Sequence, residues 1–478
     1  MKKTRTVLFV LLAACWLPAA SSCHSRQGAG GGEIVLVPAE RIAGLRRQLQ
    51  QHLAELRART CPRRALLDPP LPGDVGPEMT ALVDDTNRGG CADALARHAE
   101  QLAQGMPEHF PRTGTAPQSA YRPPAWLGDL ERTCQPVLDR LQRVARCRQG
   151  CSPFRPGLAK EPDPRGLVRL ARLVAHLAWA REAVGNDTGA LRLLLPALRS
   201  FQDLARGGTS LLLTVVSIKA QQTLLPPLGA VLDRPLSRPR LEEAARKLAL
   251  LLDGHVHPAT YLPAEYLALE LNMFLPMLGP GEPQPAGGAP AVPLPAFPAG
   301  DLPEGVSSAQ AAALAILAAE GLREELVRSC RLERPPARCL EGLRRIEKRL
   351  SGQPPSRWEM LGRLALSTDK QRALLEQVLE MLQGVLAPAY SKYLEDDHRL
   401  LEALAALRLQ AELRAGLAGG GACPAREGDL PGPLQALARD PWSGERLRLQ
   451  PAAGGLLAGG AAPGAESPGP LFISCQRP

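Results

Sequence analysis

His255-Val256-His257, with Glu265 and Glu270 downstream, is the cluster whose residue types could hold a metal in this 478-residue chain. Two imidazoles and a carboxylate suit zinc, and zinc-bound water would supply the nucleophile of a hydrolase. Pro258 follows directly, so the segment reads as a polar turn between helices. No metal or other cofactor is expected, and His255, His257 and Glu265 stand as candidate ligands only. Asp396-Asp397-His398, beside Glu395 in a helical stretch, reads as a solvated face. His176 falls in a Leu-rich helix and reads as structural. The sequence has no phosphate loop ending in Gly-Lys-Ser/Thr, no Gly-x-Ser-x-Gly elbow and no His-Glu-x-x-His, so no catalytic residue is named.

The cysteines carry different chemistry. They stand at 15, 23, 61, 91, 134, 147, 151, 330, 339, 423 and 475. Lys2, Lys3 and Arg5 precede an apolar run at 7–17, and Ala20-Ser21-Ser22-Cys23 follows. The run is shorter than the roughly 20 residues a membrane-spanning helix needs and fits a cleaved signal. This layout resembles a bacterial lipoprotein signal. The resemblance implies residues 1–22 as signal peptide, an acylated (palmitate-type) Cys23, and 23–38 as a flexible tether. Leu12-Ala13-Ala14-Cys15 leaves Cys15 as the alternative lipid carrier. His24 rather than Asp after Cys23 directs the expectation to the outer membrane of the cell envelope.

In that oxidising compartment the other cysteines are expected as disulfides rather than metal ligands. Cys330 with Cys339, around Pro335-Pro336, and Cys423 with Cys475, closing the tail, are the local pairs; Cys61 with Cys91 is a further one. Cys134, Cys147 and Cys151 compete for one more bond. If Cys23 carries the lipid, nine cysteines remain and one thiol stays free; if Cys15 does, ten remain and pair evenly.

The elements that position these residues are helical. Apolar residues make up 45% of the chain but aromatics only 4%, so the core is Leu, Ala and Val, a helix-forming mixture. The net charge is +9, and all but eight of the 57 basic residues are arginine. They are scattered among Glu and Asp without interleaved aromatics, which reads as solvated helix faces and argues against nucleic acid. Residues 40–59 repeat Leu at helical spacing, and 164–231 is the strongest helical block. Within it, Gly185-Asn186-Asp187 breaks two helices, with Gly185 ending the first and Asp187 expected to cap the second. A helix at 211–225 is expected to stop at Pro226-Pro227. No regular 34-residue repeat is present. Residues 279–305 form a Pro/Gly-rich linker between an N-terminal helical domain (39–278) and a second helical region (306–417). The second region holds expected helices at 308–332, 337–350, 356–366, 369–386 and 390–416. A Gly/Pro-rich segment (418–478) leaves room for short strands near 446–449 and 471–474. The expected fold class is mainly α: helical bundle or helix-hairpin layers with a small β-containing C-terminal segment.

Two stretches carry a family resemblance. One is Asp163-Pro164-Arg165-Gly166-Leu167 through Leu173 and Gly185-Asn186-Asp187. The other is the tail, with Asp440-Pro441-Trp442-Ser443-Gly444 and then Leu447 and Leu449. Together they resemble an uncharacterised group of exported helical bacterial proteins. The ending is similar to the C-terminal strand region of the type II secretion pseudopilins. In the motif, Asp440 can accept backbone bonds after Pro441, Trp442 can cover the end of the preceding helix, and Gly444 allows a positive φ. The chain lacks the pseudopilin's long apolar N-terminal helix and its acidic calcium loop, 459–469 holding only Glu466. The combined expectation is a non-catalytic envelope lipoprotein, a helical scaffold or protein-interaction module. Its partners would be the membrane, through the lipid, and proteins yet to be identified. The alternatives are an accessory lipoprotein of a secretion or pilus system, and a metal-dependent envelope hydrolase using His255 and His257.

Overall fold

The computed structural model describes residues 37–105, 121–158, 162–278, 307–331, 335–350, 390–420, 423–424, 427–452, 455–459 and 471–475. The signal-like segment with Cys15 and Cys23, the tether up to residue 36, the Pro-rich stretch from 279 and the expected helices at 356–366 and 369–386 lie outside the described residues.

The fold is mainly α, as the composition implies. The first helix among the described residues, α1 (Ala39–Ala58), buries the Leu45, Leu49, Leu53 and Leu56 stripe. A short strand β1 (Leu71–Asp74) leads into α2 (Val75–Asn87), α3 (Gly90–Arg97), α4 (Ala99–Ala103) and α5 (Leu127–Arg146). Strand β2 (Cys147–Gln149) then pairs in parallel with β1.

The strong helical block forms α6 (Pro164–Ala183), α7 (Asp187–Leu204) and α8 (Leu211–Leu232). Asp163 caps α6, accepting from the Arg165 amide at 2.9 Å. Gly185 takes φ +74°, as a left-handed helix end requires. The next cap is Asn186 rather than Asp187: the Asn186 side chain accepts from the Gly189 amide at 3.0 Å. Helix α8 also runs through Pro226-Pro227 instead of stopping there. The prolines deprive the carbonyls of Gln222 and Thr223 of amide partners. Both residues are half-buried and within reach of water, while Leu224, Leu225, Leu228 and Val231 pack inside.

Beyond these lie α9 (Arg238–Asp253) and α10 (Pro258–Leu269), the latter continuing as a π-turn (Glu270–Phe274). Then come α11 (Ser308–Ser329), α12 (Pro336–Leu350), the long α13 (Tyr390–Ala418) and the short α14 (Gly432–Leu437). The tail forms an antiparallel sheet of β3 (Arg448–Ala452), β4 (Gly455–Gly459) and β5 (Leu471–Ser474), in that order. Strand β4 was not among the expected strands.

Helix α13, about 44 Å long at 1.5 Å per residue, enters every core. Leu400, Leu404 and Leu407 join the first, with Leu167, Leu198 and Leu228. Leu394 and Leu401 join the second, with Leu49, Ile316 and Leu343. Leu409, Leu413 and Leu417 join the third, under Leu447 and Ile473 of the tail. The first two cores therefore draw on segments from both sides of 279–305, while the third is built from residues beyond it.

Four disulfides fasten this body. Cys330–Cys339 and Cys423–Cys475 form as expected. Cys61 does not pair with Cys91: the bonds are Cys61–Cys151 and Cys91–Cys134, and Cys147 is a buried free thiol. An antiparallel bridge between Pro62 and Gln149 of β2 explains the correction. The Gly150 amide donates to the Cys61 carbonyl at 3.1 Å and the Arg63 amide to the Arg148 carbonyl at 3.1 Å, so Cys151 is delivered to Cys61. Cys91 meets Cys134 where α3 packs on α5. A Cys61→Ala/Cys151→Ala variant is expected to lose about 2–4 kcal/mol, because cross-linking restricts the unfolded chain. Cys330→Ala/Cys339→Ala should lose less, closing a separation of 9 residues against 90. Denaturant melts of both variants check the order.

Candidate functional site

The acid–imidazole run of the sequence is not a solvated face. Asp396, Asp397 and His398 are all buried on α13. Consecutive helical residues point about 100° apart, so the three side chains reach different neighbours. Asp396 meets Lys219 of α8 at 2.7 Å. Asp397 faces His255 Nε2 at 3.1 Å and accepts a hydrogen bond from the Tyr261 hydroxyl at 3.1 Å. Burial, then the neighbouring Asp397 carboxylate, pushes the Tyr261 hydroxyl well above its usual pKa, so it stays a donor. His398 Nε2 lies 3.4 Å from Asp440 and its ring stacks on Trp442, with centroids 5.3 Å apart.

Asp440 is the hub of the tail motif. Its carboxylate accepts from the Trp442 amide at 2.9 Å, the Ser443 amide at 3.2 Å and the Ser443 hydroxyl at 2.6 Å. Burial alone would raise its pKa. The nearby His398 ring and the hydrogen bonds from Ser443 and the Trp442 amide outweigh burial and hold the carboxyl below the usual range. Gly444 takes φ +75° and Pro441 opens the turn, as the motif predicts. Trp442 does not cover the end of the preceding helix; it packs on α13 through His398 and belongs to the second core.

The candidate metal ligands are drawn to separate tasks. His255 pairs with Asp397, His257 Nδ1 accepts the Ala259 amide at the start of α10 (3.1 Å), and Glu265 accepts the Leu211 amide at the start of α8 (2.6 Å). Among the described residues no group of three or more His, Cys, Asp or Glu could hold a metal. No described helix is long and apolar enough to cross a membrane. His176 is structural, as read: Tyr121 Oη lies 2.6 Å from its Nδ1, and burial keeps its pKa low.

No family model, no curated protein and no solved structure matches this chain.

Two polar features escaped the sequence reading. One is a buried cluster in which Arg63, Arg199 and Arg206 surround the fully buried Asp203 carboxylate. The other is a groove of about 510 Å³ between α5, α7 and α9. From α7 come Thr188, Leu191, Arg192 and Leu195; from α9, Arg240, Glu243, Ala244 and Lys247. Each set follows the i, i+3, i+4, i+7 spacing of one helix face. Gln142 and Arg146 of α5 face them, and Leu67 and Asp68 close one end. Both stripes are readable in the sequence, where the many arginines scattered along the chain hid them.

Proposed function

We propose that this chain is an exported, lipid-anchored helical scaffold of the bacterial envelope, held through acylated Cys23 and meeting other envelope molecules through the surface of its folded body. The cysteine inventory carries the reading. Eight cysteines sit in disulfides spread over the body and the ninth, Cys147, is buried. Disulfides on this scale fit an oxidising compartment. The pairing also matches the parity expected if Cys23 carries the lipid: nine cysteines, one of them a free thiol. The Lys2-Lys3, apolar and Ala20-Ser21-Ser22 pattern before Cys23 supports the same assignment. The buried acid–imidazole pairs fit a scaffold, because each ties α13 to a different element.

Mass spectrometry of the N-terminal peptide from native membranes tests the anchor. The expected result is a peptide starting at Cys23 with thioether-linked diacylglycerol and an N-acyl chain. A Cys23→Ala chain should stay unprocessed. An intact Met1 terminus or an unmodified Cys23 overturns the proposal. Crosslinking of the anchored protein in its own envelope tests the scaffold, which fails if no partner is captured.

A further inference from the structure

The groove between α5, α7 and α9 has the composition of a ligand site. Its volume of about 510 Å³ lies within the roughly 300–1,000 Å³ typical of small-molecule pockets. Leu191, Leu195 and Ala244 are buried and line its inner side. Arg192 and Arg240 are exposed at its edge. Arg146, Arg192, Arg240 and Lys247 bring four cations to it, against the carboxylates of Asp68 and Glu243.

The charge is not internally matched. Lys247 is committed to Glu243. The guanidiniums of Arg146, Arg192 and Arg240 make no hydrogen bond or ion pair within the described residues, and the Arg146 Nε is buried without a partner. Glu243 reports the local field. The hydrogen bond from Lys247 leads the causes that hold its carboxyl below the usual range; the charges of Lys247, Arg246 and Arg192 add to it, with burial opposing. Thr188 and Arg240 stand in the first turns of α7 and α9, where the helix dipole adds positive potential.

We infer that this groove binds an amphiphilic anion, a phosphate or carboxylate head on a short alkyl chain, with Arg146, Arg192 and Arg240 gripping the head and Leu191, Leu195 and Ala244 covering the chain. Guanidinium forks match both head groups bidentately. An inorganic anion alone would leave the leucines without a role, and a neutral amphiphile would leave three guanidiniums unpaired. The ligand is of small-molecule size, which separates it from a partner helix lying in an extended groove. The groove belongs to the folded body, so this inference and the assignment of Cys23 as the anchor stand or fall separately.

The test uses the full-length processed protein and a photoreactive octyl phosphate, with the label mapped by mass spectrometry. Labelling is expected on the facing stripes of α7 and α9. Excess octyl phosphate or octanoate should suppress it; inorganic phosphate or octanol at the same concentration should not. The double variant Arg192→Gln/Arg240→Gln should label at least about tenfold less, the factor that a loss of 1.4 kcal/mol produces, and should remain folded because both side chains are exposed and make no hydrogen bond or ion pair within the described residues. Competition by vesicles of anionic phospholipid identifies the head group as lipid-borne. Competition by the free alkyl phosphate alone identifies a soluble amphiphile. Label spread evenly over the surface, equal suppression by octanol, or undiminished labelling in a folded double variant overturns the inference.

Discussion

Asp203→Ala is expected to destabilise the protein by about 3–5 kcal/mol, because it removes the carboxylate that pairs with three buried guanidiniums. Asp203 is fully buried on α7 and receives Arg63, Arg199 at 3.5 Å and Arg206 at 3.1 Å. The arginines also donate to backbone carbonyls. Arg63 Nε reaches the Cys147 carbonyl at 3.0 Å and Arg206 Nη2 the Gly254 carbonyl at 3.0 Å. Burial, with neighbouring guanidiniums adding for Arg63 and Arg199, pushes all three below the ordinary arginine pKa. Asp203 is therefore the counter-charge that lets one cluster fasten α7, β2 and the end of α9. Without it, like charges face each other in a medium that screens them poorly. Adding Arg199→Met to Asp203→Ala should recover part of the loss, since it removes one of the stranded cations. Thermal and denaturant melts of the single and double variants measure this coupling. A single variant within about 1 kcal/mol of the wild type would mean that water reaches the cluster.

The second large effect is a pH dependence centred on Glu270. This residue opens the π-turn after α10, is fully buried, and lies 3.7 Å from Arg323 of α11. Its two carboxyl oxygens have no hydrogen-bond partner among the described residues. Burial, opposed by Arg323 and reinforced by Glu320, raises its pKa from 4.5 to about 8. Between those values the folded protein holds a proton that the unfolded chain releases. The contribution to stability is therefore complete below pH 4.5 and is lost as pH climbs through about 8. At about 1.4 kcal/mol per unit, the loss amounts to several kcal/mol. Glu270→Gln mimics the protonated form. It should match the wild type near pH 4.5, exceed it at pH 9, and flatten the slope between. Parallel slopes in the two proteins would place the titration elsewhere.

The sequence made some of this legible and hid the rest for identifiable reasons. The Leu stripe of α1 and the Gly185 break between α6 and α7 are local signals, and both hold. Cys330–Cys339 was readable because its loop is short. Cys61–Cys151 depends on an antiparallel bridge, Pro62 against Gln149, that joins segments about 90 residues apart, which local spacing cannot reveal. Asp396, Asp397 and His398 look like a solvated face only if α13 has a wet side. Its apolar residues occupy every side from Leu400 to Leu417, the pattern of a helix surrounded by others. The groove cations follow helical spacing on two separate helices, but the packing of α7 against α9 is what aligns their stripes.

The placement of α13 also constrains the order of events in the cell. The first core gathers residues from Leu66 to Leu251, yet it is completed by Leu400 to Ala415, made about 150 residues later at some 5–20 residues per second. For several seconds of synthesis, a nascent polypeptide therefore carries an open apolar trench where the missing rod will lie. Until that stretch arrives, the chain cannot lock into its final shape.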